Sequence, residues 1–319
     1  MKDGYGREID YLRVSLTDRC NLRCVYCMPE NGIENKLPHE AMLTLEEMYQ
    51  IIKAFVNTGV KKIRFTGGEP LVRLGAVSLI ERVSKIKAVR EITMTTNGIL
   101  LEDFIESLKK AGLDRVNISL DTLDKEKYKE ITRGGDIQKV KRAIIKAIEY
   151  DLNPVKLNTV LIGGFNDDEI EDFVNLTLNY PIDVRFIELM PIGEAQNFAK
   201  AKFIPNSTVL TKVSALEKIE NEDVHSPAQY YKLPNAMGKV GLINPISCKF
   251  CKDCNRVRLT STGKLKLCLH SDREIDLKKY LHEGQNLEDV ISEAILSKEK
   301  EHELEKNISI KRNMNEIGG

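Results

Sequence analysis

Apolar, β-branched segments alternate with segments of helical periodicity from residue 11 to about residue 188. This alternation predicts a parallel sheet with right-handed crossovers, because each helix returns the chain to the same end of the sheet. Its six units are too few for a complete eight-strand barrel. We therefore expect an incomplete barrel, with a doubly wound sheet as the alternative. The predicted strands are 11–17, 61–66, 91–96, 115–120, 155–162 and 183–189.

Helix signals are clearest in two segments between these strands. The segment 45–59 follows Thr44, and Glu47 three residues on completes a capping-box pattern. The segment 137–151 places four apolar residues on one helical face. These are Val140, Ile144, Ala147 and Ile148.

The alternation weakens after about residue 200. We expect one more helix at 206–220 and a polar helical stretch near 286–306. We divide the chain into a partial barrel, 1–225, and a C-terminal region, 226–319. This region is expected to close the open side of the barrel and not to fold as an independent domain.

Three cysteines, Cys20, Cys24 and Cys27, lie within eight residues directly after the first predicted strand. Such a triplet suits a four-iron cluster with one iron left open, whereas ferredoxins normally bind every iron through cysteine. An open iron can bind a small molecule and pass an electron to it. Zinc is the alternative, although structural zinc sites normally use four ligands. Disulfides fit poorly, because the chain has seven cysteines and no apolar signal segment.

Charge and hydropathy argue against several function classes. The 48 Lys and Arg residues balance 48 Asp and Glu residues, unlike the cationic surface of a nucleic-acid-binding protein. Any anion site must therefore be local. No apolar stretch approaches the length of a membrane span. We expect a cytoplasmic protein that binds neither nucleic acid nor a membrane.

A second cysteine group lies in the C-terminal region and comprises Cys248, Cys251, Cys254 and Cys268. The strand and turn that follow Cys254 are typical of a zinc ribbon, so zinc is one interpretation. The C-x2-C-x2-C spacing favours the other, a second iron–sulfur cluster.

Arg256 and Arg258 lie two residues apart on the strand predicted next to this group, so both share the face of Cys254. Two guanidinium groups suit bidentate capture of phosphate or carboxylate. The alternative is a pair of solvated strand arginines.

Glycines and polar residues follow successive predicted strands. Because the carboxyl ends of parallel strands meet at one edge, we expect these loops to form a single mouth. TGGEP at 66–70 is either a tight turn or a place where backbone approaches a ligand. The other strand-end motifs are NG at 97–98, SLDT at 119–122 and ELMPIG at 188–193.

The cysteine triplet with Tyr26 before its last cysteine, together with the strand-end GGEP, resembles the radical S-adenosylmethionine superfamily. Further motifs extend the likeness along nearly the whole chain, to the branch that cyclises GTP in molybdenum cofactor biosynthesis. The resemblance implies an incomplete (βα)6 TIM-like barrel closed by a C-terminal extension that carries a second cluster. The further motifs are KIRFTGGEPLVR, TTNG, VNISLDT, IELMPIG, FCKDCNRVRLT and a terminal GG.

The resemblance implies two [4Fe-4S] clusters and S-adenosylmethionine as cofactors, with GTP as substrate. One-electron reduction would cleave S-adenosylmethionine to a 5′-deoxyadenosyl radical that takes the 3′ hydrogen of GTP. The ribose radical would then attack C8 of guanine. The product would be (8S)-3′,8-cyclo-7,8-dihydroguanosine 5′-triphosphate, handed to cyclic pyranopterin monophosphate synthase. A one-electron reductant is also implied, and a homodimer is suggested.

The resemblance also assigns residues by their match to the family's motifs. Cys20, Cys24 and Cys27 would hold the first cluster, and Cys251, Cys254 and Cys268 the second. Cys248 is a fourth cysteine where the family needs three, and we predict an unliganded thiol. The predicted S-adenosylmethionine contacts are Tyr26, Gly68, Ser119 and Met190. The predicted GTP contacts are Arg13, Arg64, Thr95, Lys156, Arg256, Val257 and Arg258. Catalytic roles fall to the first three cysteines, Arg13 and the tail residues Gly318 and Gly319.

Two other function classes remain open on the sequence. A radical enzyme that modifies a peptide would also carry an auxiliary cluster, but it gives no reason for paired arginines. A non-enzymatic electron carrier or zinc-stabilised binding module explains the cysteines but leaves the strand-end glycines without a role.

Overall fold

The computed structural model describes residues 1–32, 38–302 and 312–318. Its centre is one sheet, whose strands lie in the order β12-β11-β10-β1-β2-β3-β4-β5-β6-β9-β8-β7. The strands are β1 (Tyr11–Ser15), β2 (Lys62–Thr66), β3 (Glu91–Thr96), β4 (Arg115–Ser119), β5 (Val155–Leu161), β6 (Ile182–Glu188), β7 (Glu217–Lys218), β8 (Ala228–Lys232), β9 (Lys239–Ile243), β10 (Arg256–Leu259), β11 (Lys264–Lys266) and β12 (Ile275–Asp276).

Helices connect the parallel strands and cover one face of the sheet. They are α1 (Leu45–Asn57), α2 (Ala76–Ser84), α3 (Leu101–Lys110), α4 (Lys125–Thr132), α5 (Ile137–Glu149), α6 (Ile170–Asn179), α7 (Ala195–Lys202), α8 (Ser207–Lys212), α9 (Leu277–His282), α10 (Leu287–Leu296) and α11 (Met314–Ile317). No helix in the described ranges is both long enough and apolar enough to cross a bilayer.

The order of the strands confirms the parallel, barrel-like sheet. Strands β1 to β6 pair in sequence order, each parallel to the next. Two strands of the C-terminal region extend this sheet at both sides, because β10 pairs parallel with β1 and β9 pairs parallel with β6. Sequence analysis did not predict this placement. The division near residue 225 stays a prediction, but the sheet continues across it.

The two faces of the sheet differ in chemistry because strand side chains alternate. On β1, Leu12 and Val14 are fully buried and belong to the apolar core that lies between the sheet and the helices. Arg13 and Ser15 point to the opposite, concave face, which we call the lumen. The lumen is polar, so the sheet buries its apolar side chains on one face and keeps the other for binding.

Local signals explain where several elements begin and end. The predicted capping box is confirmed at α1, where Glu47 N donates to Thr44 Oγ1 and the Glu47 carboxylate accepts from Thr44 N. The predicted helix at 206–220 is wrong beyond Lys212. The chain turns there to form β7, which pairs with β8, so strand pairing overrides helix propensity.

The polar helix predicted near 286–306 is also too long. Helix α10 ends at Leu296, and Lys298 turns inward to donate to the carbonyl oxygen of Leu267. Residues 303–306 lie outside the described residues.

Candidate active site

The loop that carries Cys20, Cys24 and Cys27 follows β1 and folds back on itself. Cys27 N donates to Cys24 O at 2.9 Å, and Leu22 N donates to Cys20 Sγ at 3.4 Å. Burial raises the pKa of Cys24 well above its usual value, and Cys27 and Cys20 raise it further. Burial likewise raises the pKa of Cys27 to about 12. The three thiols therefore lie near one another in a poorly solvated loop.

Gly68 lies where the GGEP loop packs against the start of the cysteine loop. Gly68 N donates to Thr17 O at 2.7 Å, and Glu69 N donates to Arg19 O at 2.8 Å. A Cβ atom at position 68 would lie 2.3 Å from the Arg19 carbonyl oxygen. Close approach of two backbones therefore requires glycine here.

The carboxylate of Glu69 joins the loops that follow β2 and β3. It accepts hydrogen bonds from Leu71 N at 3.1 Å, Thr96 Oγ1 at 2.9 Å and Asn97 N at 2.8 Å. Burial raises the pKa of Glu69 to about 7, although these hydrogen bonds favour the ionised form. Asn97 Nδ2 also lies 3.6 Å from Cys20 Sγ, which connects the network to the first cysteine.

Tyr26 joins the cysteine loop to the end of β4. Its hydroxyl donates to Asp121 Oδ2 at 2.5 Å, and Val160 N donates to Asp121 Oδ1 at 2.9 Å. Burial raises the pKa of Asp121 to about 6, while the hydrogen bond from Tyr26 opposes that rise. These contacts hold the cysteine loop over the carboxyl ends of β4 and β5.

Three arginines lie side by side in the lumen on neighbouring strands. Arg13 of β1 is the register partner of Arg258 on β10 and of Arg64 on β2. Burial lowers the pKa of Arg13 well below its usual value, and the charges of Arg258 and Arg64 lower it further. Like charges placed opposite each other destabilise a sheet unless a counter-ion lies between them. We call these three residues the arginine row.

Further polar groups line the lumen, and some of them lack hydrogen-bond partners among the described residues. Lys156 Nζ lies 3.0 Å from Asp183 Oδ2 and donates to Tyr230 OH at 3.1 Å. Within the described residues, Arg185 Nε and both amide atoms of Asn117 are buried without a hydrogen-bond partner, as is Arg13 Nε of the arginine row. Unsatisfied buried polar atoms are costly, so this cluster fits a polar, anionic ligand.

The second cysteine group lies beside β10 and β11. Cys248 is exposed, whereas Cys251, Cys254 and Cys268 are partly buried. Burial raises the pKa of Cys268. Burial acts in the same direction on Cys254, but the charges of Lys298 and Arg256 outweigh it and lower that pKa. The thiols of Cys254 and Cys268 therefore share the positive charge of Lys298.

The C-terminal tail enters the mouth of the barrel. Arg258 Nη1 donates to Gly318 O at 2.6 Å, and Asn315 Nδ2 donates to Asp18 O at 3.0 Å. Gly318 has φ +80°, and a Cβ atom there would lie 2.7 Å from Thr66 Oγ1 and 2.8 Å from Ser15 Cβ. Gly319 lies outside the described residues.

Comparison with known families decides the class of this site. The family model described as the Radical SAM superfamily matches residues 14–177, which include the cysteine loop and strands β2 to β5. The chain belongs to the radical SAM superfamily. A second model, Molybdenum Cofactor Synthesis C, matches residues 182–304, the segment that carries the second cysteine group.

Relatives of this radical SAM protein are similar over their full length. A GTP 3′,8-cyclase of Peptoclostridium acidaminophilum is 58% identical over 318 residues, which cover 99% of this chain and 98% of that protein. A GTP 3′,8-cyclase of Alkaliphilus oremlandii is 55% identical over 322 residues, which cover 100% of this chain and 100% of that protein.

Solved structures of Streptococcus suis SuiB show the same fold. The chain matches SuiB bound to S-adenosylmethionine with a TM-score of 0.60 at 14% identity, covering 91% of this chain and 68% of that one. The match to the crystal structure of SuiB has a TM-score of 0.59 at 14% identity, with 89% and 65% covered. At this identity the likeness concerns the fold alone.

The structure brings most of the predicted site residues of this radical SAM protein to one mouth and lumen. Thr95, Asn117 and Lys156 are register partners on β3, β4 and β5. Met190 Sδ lies 3.3 Å from His270 Nε2. Val257 differs, because its side chain is buried in the core on the opposite face of β10. Any contact of Val257 with the lumen must therefore involve its backbone.

Sequence reasoning assigned no role to Arg185 and Lys298, and it included Asn117 and Asp121 only as parts of strand-end motifs. The alternation of side chains along a strand could have indicated Asn117 and Arg185, because both occupy lumen-facing positions of predicted strands. Burial of Asp121 and Lys298 depends on loops that pack from distant parts of the chain, and no local pattern marks it.

The donor sets fit two iron–sulfur clusters and an anionic substrate. Among the described side chains, no three His, Cys, Asp or Glu residues lie close enough to hold a single metal ion. A four-iron cluster binds each thiolate through a different iron, and soft thiolates are the ligands that such clusters use. The first cysteine group offers three such thiols, and the second offers three partly buried thiols beside the exposed Cys248. Coordination would deprotonate the ligating thiols.

Proposed function

We propose that this chain is a radical SAM enzyme that converts GTP to (8S)-3′,8-cyclo-7,8-dihydroguanosine 5′-triphosphate. This reaction would be the first step of molybdenum cofactor biosynthesis. Its relatives over the full length are named GTP 3′,8-cyclase, and the second family model is named for molybdenum cofactor synthesis. The observation in the structure that carries the proposal is the arginine row, because it needs a polyanion.

The arginine row suits a triphosphate in charge and in shape. Guanidinium groups bind phosphate through paired hydrogen bonds, and burial strengthens each charge interaction. Arg185 and Lys156 line the same lumen from β6 and β5, so phosphate oxygens can be bound from two sides. Arg256 follows Cys254 by two residues on the strand that carries Arg258, so a bound nucleotide reaches toward the second cysteine group.

Cys20, Cys24 and Cys27 would hold the first [4Fe-4S] cluster, and its open iron would bind S-adenosylmethionine. When bound, this pair supplies a carbon-centred radical that abstracts a hydrogen atom. The chain's own residues position the pair. Tyr26 and Asp121 fix the cysteine loop over the sheet, and Asn97 reaches Cys20 Sγ from the next loop.

Residues at the same mouth would hold S-adenosylmethionine itself. Three predicted contacts lie at the ends of different strands. Gly68 follows β2, Ser119 is the last residue of β4, and Met190 follows β6, so they approach the mouth from three sides. His270 Nε2 contacts Met190 Sδ and thereby supports the last of these loops.

Cys251, Cys254 and Cys268 would hold the second [4Fe-4S] cluster. They are the partly buried members of their group, and Lys298 and Arg256 place positive charge near the thiolates. Cys248 is exposed, which supports an unliganded thiol. Three thiolate ligands would leave one iron of that cluster free to bind the guanine base.

The tail contributes to the same site. Gly318 is held against Ser15 and Thr66 by Arg258. A catalytic role of Gly319 stays a prediction from the sequence. Only glycine fits the contact at position 318, which agrees with a catalytic role for the tail.

The reaction implies further partners. A one-electron reductant must supply the first cluster, and cyclic pyranopterin monophosphate synthase would take the cyclised nucleotide. A homodimer and a cytoplasmic location stay predictions from the sequence.

An anaerobic assay with reconstituted protein tests the proposal. The mixture contains S-adenosylmethionine, dithionite and GTP deuterated at C3′. We expect deuterium in 5′-deoxyadenosine and a cyclised nucleotide, neither of which should form with Cys24→Ser. Equal amounts of 5′-deoxyadenosine with and without GTP, and no cyclised nucleotide, would contradict the proposal.

A further inference from the structure

Lys298 is a buried lysine beside the second cysteine group. Its side chain leaves the segment after α10 and points inward, and the residue is 3% exposed. Lys298 Nζ donates to the carbonyl oxygen of Leu267, the residue directly before Cys268. The next lysine in the same segment, Lys300, is exposed. The inward position of Lys298 is therefore specific to that residue.

A buried ammonium group needs compensation for its lost hydration. Burial of a charge without an opposite charge is costly, and one carbonyl oxygen offers only a partial dipole. Lysines are seldom fully buried unless they are paired. The geometry therefore calls for a negative group close to Lys298.

The thiols of the second cysteine group can supply that negative charge, beside the carboxylate of Glu299, which also acts on Cys268. The charge of Lys298 acts on the thiols of both Cys254 and Cys268, and in each case it favours the thiolate. Arg7 also acts on Cys254, and two further cations approach these thiols from β10: Arg256 acts on Cys254, and Arg258 acts on both. The two arginines of β10 also face the lumen, whereas Lys298 approaches from the side of α10.

We propose that Lys298 is a positioning residue whose ammonium group sets the reduction potential of the second cluster. This inference rests on the proposed function, because it requires a cluster on Cys251, Cys254 and Cys268. The reduced cluster carries one more negative charge than the oxidised cluster. A fixed positive charge at short distance in a poorly solvated site stabilises that reduced form. Its removal makes the cluster harder to reduce.

A redox titration of the anaerobic holoenzyme, followed by electron paramagnetic resonance, tests this role. The signal of the second cluster is identified as the one that changes when GTP is added. In Lys298→Gln, which keeps a hydrogen-bond donor but removes the charge, we expect the reduced-to-oxidised ratio at fixed potential to fall about tenfold. That change corresponds to about 59 mV for a one-electron couple. Lys298→Arg should keep the wild-type potential.

Lys300→Met is the matched control, because it removes the same charge from an exposed position that solvent screens. It should leave the potential unchanged. A wild-type potential in Lys298→Gln, or an equal shift in Lys298→Arg, would overturn the role of Lys298. If Lys298→Gln fails to retain the cluster, Lys298→Arg decides, and loss of the cluster there overturns the proposal as well.

Failure of the proposed function gives a different result. No signal of the wild-type protein would then respond to GTP. If the wild-type protein also held about four irons in place of about eight, the second cluster would be absent. That outcome overturns the second cluster and the role of Lys298 together, whereas an unchanged potential overturns only the latter.

Discussion

Arg258 Nη1 donates a 2.6 Å hydrogen bond to the carbonyl oxygen of Gly318, so one guanidinium group belongs to both the arginine row and the anchor of the tail. An anion that binds the arginine row therefore contacts a side chain, Arg258, that also forms a hydrogen bond with the C-terminal tail. Binding in the lumen and the position of the tail are therefore coupled through Arg258.

Gly318→Ala tests the tail. The new Cβ atom would lie 2.7 Å from Thr66 Oγ1, and φ at this position is +80°. The left-handed conformation alone costs roughly 1–2 kcal/mol for alanine, so we expect formation of cyclised nucleotide to fall roughly tenfold or more. Iron content should stay at the wild-type level. Rates are measured anaerobically by chromatography of the nucleotide products.

Gly284→Ala is the control for backbone strain. Gly284 has φ +68°, and none of the described atoms lies within 4 Å of the position that a Cβ atom would take there. The substitution should lower stability without a specific loss of cyclisation. Equal activity losses in the two variants would contradict a role of the tail in the site.

Glu69 should make stability depend on pH. Its pKa is raised to about 7 in the folded protein, from an ordinary value near 4.5. Its contribution to the free energy of unfolding is therefore fully present below about pH 4.5 and is lost as pH rises through about 7. The loss amounts to roughly 3 kcal/mol. Glu69→Gln removes this dependence.

Thermal unfolding of wild type and Glu69→Gln between pH 5.5 and pH 8, in steps of about half a unit, measures the effect. We expect the variant to be less stable at low pH by about 1–3 kcal/mol, because an amide nitrogen cannot accept from Leu71 N or Asn97 N. The difference should shrink as pH rises. A difference that does not vary with pH would show that Glu69 does not titrate in this range.

Arg185→Met tests the lumen opposite the arginine row. Arg185 is 6% exposed, and its Nε atom has no hydrogen-bond partner among the described residues. Loss of a charged donor to phosphate costs about 1.5–3 kcal/mol, so the Kd for GTP should rise about tenfold to a hundredfold. Equilibrium dialysis under anaerobic conditions measures the Kd.

Arg82→Met is the matched control for charge. Arg82 lies on the outer helix α2, where it pairs with Glu46 at 2.8 Å. Its replacement should leave the Kd within about twofold, because exposed ion pairs contribute little. A similar rise in the Kd for GTP in both variants would mean that net charge, and not the position of Arg185, determines GTP binding.

The iron content of serine variants should distinguish the cysteines of the second group that bind the cluster from Cys248, which does not. Cys248→Ser should retain about eight irons per chain, because Cys248 is exposed and is not needed as a ligand. Cys268→Ser should lose about four irons, because its thiol lies with Cys254 in the partly buried set. Iron and sulfide analysis after anaerobic purification distinguishes them. Loss of four irons from Cys248→Ser would contradict the proposed ligand set.

The sequence predicted the six central strands to within two residues at each end. Their signals are local, since strand periodicity and strand–helix alternation lie within short segments. The strands β9 and β10 could not be placed in this way. Each pairs with a strand from a distant part of the chain, such as Tyr11 with Arg256, and no local pattern specifies that partner.

The residues of the candidate site also fall into those that local sequence patterns predict and those that they do not. Motifs identify Cys20, Cys24 and Cys27 because the chemistry requires that spacing in the chain. The role of Lys298 depends on its burial against Leu267, which only the folded chain creates. Residues that act through tertiary packing are therefore the ones that sequence patterns miss.

The late position of β9 and β10 in the chain also constrains how the protein is synthesised. β1 and β6 pair with β10 and β9, respectively, which leave the ribosome after all six central strands. Until then a nascent chain presents two unpaired strand edges, and such edges readily pair with other chains. The order of synthesis thus delays extension of the sheet at both sides until most of the segment with the second cysteine group is present.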